Sequence, residues 1–85
     1  MTDFKDMKQQ NRFEYYQDGE VVFANYRREG DTLFIDYVEA PPVLRGTGAA
    51  GMLMEKIIEI AEQENLTVKP ICGYAAAWMR RHPQA

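Results

Sequence analysis

The chain has little of what builds covalent or metal frameworks: one cysteine, Cys72, and one histidine, His82, in 85 residues. A single cysteine excludes an intrachain disulfide. With only one histidine beside it, a four-ligand zinc site is out of reach, so no metal is expected. Nor does any apolar run approach the roughly 20 residues that span a bilayer. The opening MTDFKDMKQQ has no apolar signal-peptide core. A cytoplasmic protein without a membrane partner is therefore expected. Positive charge is also short, the formal net charge being -3. That removes any general electrostatic reason to bind nucleic acid, while local basic spots such as Arg27-Arg28 and Arg80-Arg81 are candidate anion contacts.

What is present is an ordinary soluble composition, 46% hydrophobic and 27% charged. The length leaves room for one core. The first ten residues are polar enough to fray, giving a flexible segment over 1–10 and a single domain over 11–85. No internal repeat or linker interrupts it. RFEYYQ (12–17), EVVFANYRR (20–28) and TLFIDYVE (32–39) read as strands separated by Asp18-Gly19 and Glu29-Gly30-Asp31. Phe13, Tyr15, Val21, Phe23, Leu33, Ile35 and Tyr37 are assigned to one buried face by the period of two.

Pro41-Pro42 stops strand pairing, since proline has no ladder donor. From about 48 to 64 the spacing turns helical, with Leu53, Ile57, Ile60 and Ala61 on one face and Met54 and Ile58 widening it. Asn65 marks the stop. TVKPIC (67–72) reads as a fourth strand with an edge or bulge at Pro70, and 74–81 as a short helix closed by His82-Pro83. Met52, Met54 and Trp78 read as core. The expected fold is a single α+β domain. An antiparallel three-strand meander leads through a long helix to a fourth strand roughly parallel to the third, with a short C-terminal helix behind it.

The segment APPVLRGTGAAGMLMEKI (40–57) places glycines where that long helix begins. A helix start offers unpaired amides and a partial positive charge, and glycine lets an anion approach them. Arg45 adds a cation and Thr47 a hydroxyl. A P-loop would need Gly-Lys-Ser/Thr, which is absent, and the dinucleotide fingerprint does not fit. A phosphate cradle and a plain strand-to-helix turn both remain open on these grounds.

Arg45-Gly46-Thr47-Gly48-Ala49-Ala50 resembles the Arg/Gln-x-x-Gly-x-Gly/Ala signature of the GNAT superfamily of acetyl-CoA-dependent N-acetyltransferases. PICGYAAAWMRRHP is similar to the Pro-x-Cys-x-Tyr…His-Pro ending of a minimal YjdJ-like, NATD-type subgroup. The likeness spans roughly 14–83. The subgroup's Thr-Glu-Val-Pro reads Val38-Glu39-Ala40-Pro41 in this chain, which keeps the glutamate and loses the threonine. The resemblance implies a GNAT-like fold with acetyl-CoA as co-substrate. Its pyrophosphate would lie on Gly46 to Ala50 beside Arg45, and its pantetheine arm would pair with the backbone at Glu39 and Ala40.

Acetyl transfer to an amine needs a base, a polarised carbonyl and a proton for the leaving thiolate. Glu39 is the candidate base, against the alternative of an exposed strand-end carboxylate. Cys72 is a candidate acid or acetyl carrier, against a buried structural thiol. Tyr74 is a candidate acid, against a core or capping tyrosine. His82 is a candidate to orient a substrate or touch coenzyme A, against a helix-stop role. The chain starts directly on strands, so the acceptor groove is expected to be open. The acceptor amine is left unspecified (small amine, peptide or protein) and the protein is expected as a monomer or weak dimer. A non-catalytic coenzyme-A-binding or acyl-CoA-sensing module is the alternative, and a small interaction domain with a purely structural loop a third.

Overall fold

The turns set the sheet. In the computed structural model, which describes residues 3–83, Asp18 and Gly19 both take positive φ (52° and 77°), as a type I′ hairpin turn demands. That two-residue turn joins β2 (Arg12–Gln17) to β3 (Glu20–Glu29) and pairs Gln17 with Glu20. Gly30, at φ 57°, turns the chain into β4 (Thr32–Glu39). The long helix α1 (Ala49–Gln63) then crosses to β5 (Thr67–Pro70), and α2 (Gly73–Arg81) follows. Asn65 ends the α1 turn in the left-handed region (φ 57°), the conformation that stops helices.

Ahead of β2 lies a strand that the polar composition did not suggest, β1 (Phe4–Met7), antiparallel to β2. Its one aromatic, Phe4, stacks on Phe13 at 5.6 Å between ring centroids, which supplies the anchoring that the alternation of so short a segment could not advertise. The sheet order is β1-β2-β3-β4-β5, antiparallel throughout except for the parallel β4–β5 pair at the crossover. This is the mixed α+β architecture the sequence implied, with one more strand.

The buried face corrects the strand reading in two places. In β3 the buried residues are Val22, Ala24 and Tyr26, while Val21 and Phe23 face the other way. The hairpin register dictates this: Tyr15 pairs with Val22 and Phe13 with Ala24, and directly paired residues share a face. In β4, Leu33 and Ile35 are buried but Tyr37 is exposed. A bulge is the cause. Tyr26 pairs with Ile35 and the next residue back, Asn25, pairs with Tyr37, so Asp36 is an extra residue that inverts the alternation beyond it.

Onto this face α1 lays Leu53, Met54 and Ile57, all 0% exposed, and α2 adds Ala75 and Trp78. Each fully buried aliphatic side chain contributes roughly 1.5–3 kcal/mol. The opposite face is finished differently. The Arg12 guanidinium lies 3.8 Å over Phe23, that of Arg27 lies 4.4 Å over Phe34, and the Lys5 ammonium sits 5.2 Å over Tyr16. Cations shield aromatic rings there in place of a packed helix layer.

Candidate functional site

The site begins where β4 and β5 part. Their ladder runs from Thr32↔Thr67 to Ile35↔Pro70 and stops. Pro70 has no donor to extend it, and the next two amides, Ile71 and Cys72, both turn onto the single carbonyl of Ile35 (2.9 and 3.0 Å). The chain then leaves into α2. Past the bulge, β4 therefore keeps its β3 partner but has no strand beside its other edge among the described residues.

A cavity of about 470 Å³ opens at that point. One wall is the end of β4, from Tyr37 to Ala40; a second is Leu44, Arg45, Gly46 and Gly48; the first turn of α1, Ala50 and Gly51, and Tyr74 of α2 complete it. Pro41 and Pro42 shape the approach. A short 3-10 turn, Pro42–Leu44, is closed by the Leu44 and Arg45 amides on the Pro41 and Pro42 carbonyls (2.9 and 3.2 Å). Leu44, 3% exposed, pins this turn into the core.

The loop then spends its donors unevenly. Thr47 N–H donates to the Leu44 carbonyl (3.1 Å), Ala49 N–H to Thr47 Oγ1 (3.3 Å) and Met52 N–H to the Gly48 carbonyl (3.0 Å). The amides of Gly46, Gly48, Ala50 and Gly51 have no protein acceptor among the described residues, and all four residues line the cavity. Gly46 and Gly48 hold φ of 82° and 89°, which a side chain would strain. The result is a set of free N–H groups at the start of a 15-residue helix, where the helix dipole is positive, with the Arg45 guanidinium on the same cavity wall. Arg45 is folded back, its Nε donating to the Ala40 carbonyl (3.1 Å).

Of the residues the sequence singled out, Glu39, Ala40, Arg45, Gly46, Gly48, Ala50 and Tyr74 meet at this cavity. Thr47, Ala49 and Cys72 do not line it. The Thr47 hydroxyl donates to the Leu44 carbonyl (2.6 Å), so it clamps the loop. Ala49 is fully buried. Cys72 is half-buried at the α2 N-cap, packed against the core cluster. His82 stacks on Trp78 with centroids 4.1 Å apart and its Nδ1 lies 2.9 Å from the Trp78 carbonyl oxygen, away from the cavity. Arg27 is held by Asp36 through two contacts (2.8 and 3.0 Å) and Arg28 by Glu64 (2.6 Å), so neither is a spare anion contact.

Sequence reasoning missed Tyr37 and Gly51. The third glycine of RGTGAAG was a usable signal for Gly51. Its missing Cβ would sit 3.4 Å from Trp78 Nε1, so it also marks close approach of α1 and α2. Tyr37 had no signal, because the bulge delivers it. Its hydroxyl donates to the Glu39 carboxylate, and that bond raises the phenol's pKa above the usual value. Burial does the same for Tyr74, with Arg81 opposing and Cys72 adding a little. Both phenols are therefore protonated donors at neutral pH. Among the described residues no three His, Cys, Asp or Glu side chains converge as metal ligands, and no helix is long and apolar enough to cross a membrane.

A glycine-lined helix start with unpaired amides thus lies beside a strand that is unpaired on one edge, around one cavity. The comparison with known families then narrows the class. Residues 12–85 match the model of the GCN5-related N-acetyl-transferase family, and the chain belongs to that family, whose members transfer acetyl groups from acetyl-CoA. No curated protein matches the chain.

Proposed function

We propose that this protein is a minimal acetyl-CoA-dependent N-acetyltransferase of the YjdJ-like, NATD-type kind. Its glycine loop takes the coenzyme's pyrophosphate and its open β4 edge takes the pantetheine arm. One observation carries the reading. The four residues whose amides lack a protein acceptor among the described residues, Gly46, Gly48, Ala50 and Gly51, line the same cavity as the unpaired end of β4. Arg45 supplies the charge partner, and Glu39 and Ala40 the strand backbone.

In the transfer step the neutral amine nitrogen attacks the thioester carbonyl carbon and the carbon–sulfur bond breaks. Glu39 takes the proton lost by the amine, directly or through water, and Tyr74 returns one to the departing thiolate. Direct transfer is the better supported route. Tyr74 lines the cavity with its proton held by burial, whereas Cys72 lies off the wall, where an acetyl-cysteine intermediate would require the thiol to be reached. The acceptor is an amine on a small molecule, a peptide or a protein.

Calorimetric titration with acetyl-CoA tests the binding half, and release of free coenzyme A thiol over a panel of amines and peptides tests the transfer half. Saturable heat with turnover is expected. Binding without turnover on any acceptor leaves a coenzyme-A-binding or acyl-CoA-sensing module, and no binding at millimolar ligand rejects both. Unchanged turnover in Cys72→Ala is the expected result for direct transfer.

A further inference from the structure

We infer that Tyr37 is a positioning residue for Glu39, presented to the cavity by the Asp36 bulge and holding one carboxylate oxygen so that the other is aimed at the acceptor amine. The inference rests on the transferase reading above and adds to it a residue outside the glycine loop and outside the Cys72–Tyr74 segment.

Leu33 and Ile35 point into the core, so an unbroken strand would send Tyr37 after them and turn Val38 outward. The extra residue Asp36 reverses this. Val38 packs against the core cluster, while Tyr37 and Glu39 share the other face. A bulge that exposes a tyrosine (47% exposed) and buries nothing larger in exchange gives no packing gain. Its product is local. Tyr37 and Glu39, which share a face as any i, i+2 pair of a strand does, are turned together away from the core, and the Tyr37 hydroxyl donates to Glu39 Oε1.

Among the described residues no other side chain holds the Glu39 carboxylate, so Oε2 stays available. Tyr37 is itself steadied by Phe23, with centroids 6.2 Å apart and rings inclined at 56°. Phe23 in turn is capped by the Arg12 guanidinium. A chain of ring contacts thus runs from the sheet's outer face to the base. An exposed glutamate at a strand end samples several rotamers. A phenol bonded to one oxygen selects among them before substrate arrives, which is what a positioned base requires. The same bond keeps the phenol protonated, so the arrangement persists across the neutral and mildly alkaline range.

The test uses the full chain, acetyl-CoA, and whichever amine or peptide of the panel is turned over. Tyr37→Phe keeps the ring and removes the donor. It is expected to lower kcat about tenfold, the scale of one orienting hydrogen bond, while KM for acetyl-CoA stays within about twofold and the unfolding midpoint does not move. Positioning through Glu39 also predicts non-additivity. In a Glu39→Gln background the second substitution Tyr37→Phe should change kcat by less than about twofold. An unaltered kcat in Tyr37→Phe, a loss that multiplies in the double variant, or a rise confined to KM for acetyl-CoA overturns the assignment. A wild-type chain that binds acetyl-CoA and turns over nothing fails before any variant is made. That result rejects the transferase reading and the assignment with it, and is distinguishable from the failures above.

Discussion

Tyr26 and Tyr37 stand on adjacent strands on either side of the bulge and make the same chemical bond, a phenol hydroxyl donating to a carboxylate. Tyr26 donates to Asp6 (2.7 Å) and Tyr37 to Glu39. Their surroundings differ. Tyr26 is 7% exposed, stacks on Phe13 at 4.2 Å and ties β3 to β1, whereas Tyr37 lines the cavity. Burial is the leading cause of the raised pKa of Tyr26, and the bond to Glu39 is the leading cause for Tyr37. The pair is therefore structural at one end of the sheet and available for chemistry at the other. Removing each ring should expose the contrast at its widest. Tyr26→Ala is expected to destabilise by about 3–5 kcal/mol, the scale for deleting a buried aromatic, in urea denaturation. Against a typical small-domain stability of roughly 5–15 kcal/mol that is a large share. Tyr37→Ala should leave the denaturation midpoint where it is and appear only in turnover.

The glycine loop lies between these extremes, because it is both strained and exposed. Gly48 caps α1 at φ 89°, so Gly48→Val forces a β-branched residue into the left-handed region at roughly 1–2 kcal/mol. The same strain shifts the loop backbone that carries the free amides, and we expect coenzyme A affinity to fall by about tenfold or more, equivalent to about 1.4 kcal/mol or more of binding free energy. Denaturation and calorimetry on one variant separate the two effects. A loss of stability with no loss of affinity would make the loop a turn and nothing else.

Much of this was legible because the signals are local. Asp18-Gly19 specifies its hairpin, the 3.6-residue spacing specifies α1, and the glycines of RGTGAAG mark a helix start that exposes amides. The misread positions were non-local. EVVFANYRR is apolar at both parities, so periodicity cannot choose a face. The choice follows from the turn, which pairs Gln17 with Glu20 and hence Tyr15 with Val22. Tyr37 depends on a bulge that no residue announces, and β1 depends on one ring, Phe4, finding Phe13. The cavity was legible as to its loop and, through Glu39, Ala40 and Tyr74, as to part of its wall; Tyr37 was not, since its place on the wall depends on the Asp36 bulge. Cys72 shows the limit of motif reading. Adjacency to Tyr74 in sequence does not bring it to the cavity.

Next in size is the hydrogen bond alone. Tyr26→Phe retains the stacked ring and removes one partly buried donor, for about 1 kcal/mol by denaturation. Tyr37→Phe should cause no comparable loss.

The smallest effect, and the one that tests the comparison without altering the core, is alkaline titration. Tyr26 keeps its proton in the folded chain at pH values where an unfolded tyrosine, with a pKa near 10.0, has lost it. The unfolded state then binds fewer protons than the folded state, and stability falls as pH rises. The contribution is fully present below pH 10 and is lost as pH climbs through 10 toward the folded value. Tyr16, Tyr37 and Tyr74 are raised in the same direction, but solvent screens the exposed pairs, so Tyr26 should dominate. Urea midpoints compared at about pH 8 and about pH 11 should drop in the wild type, flatten markedly in Tyr26→Phe and change little in Tyr37→Phe. An equal flattening by both substitutions would mean that the bond at the cavity carries fold stability too, and the division between the two tyrosines would have to be redrawn.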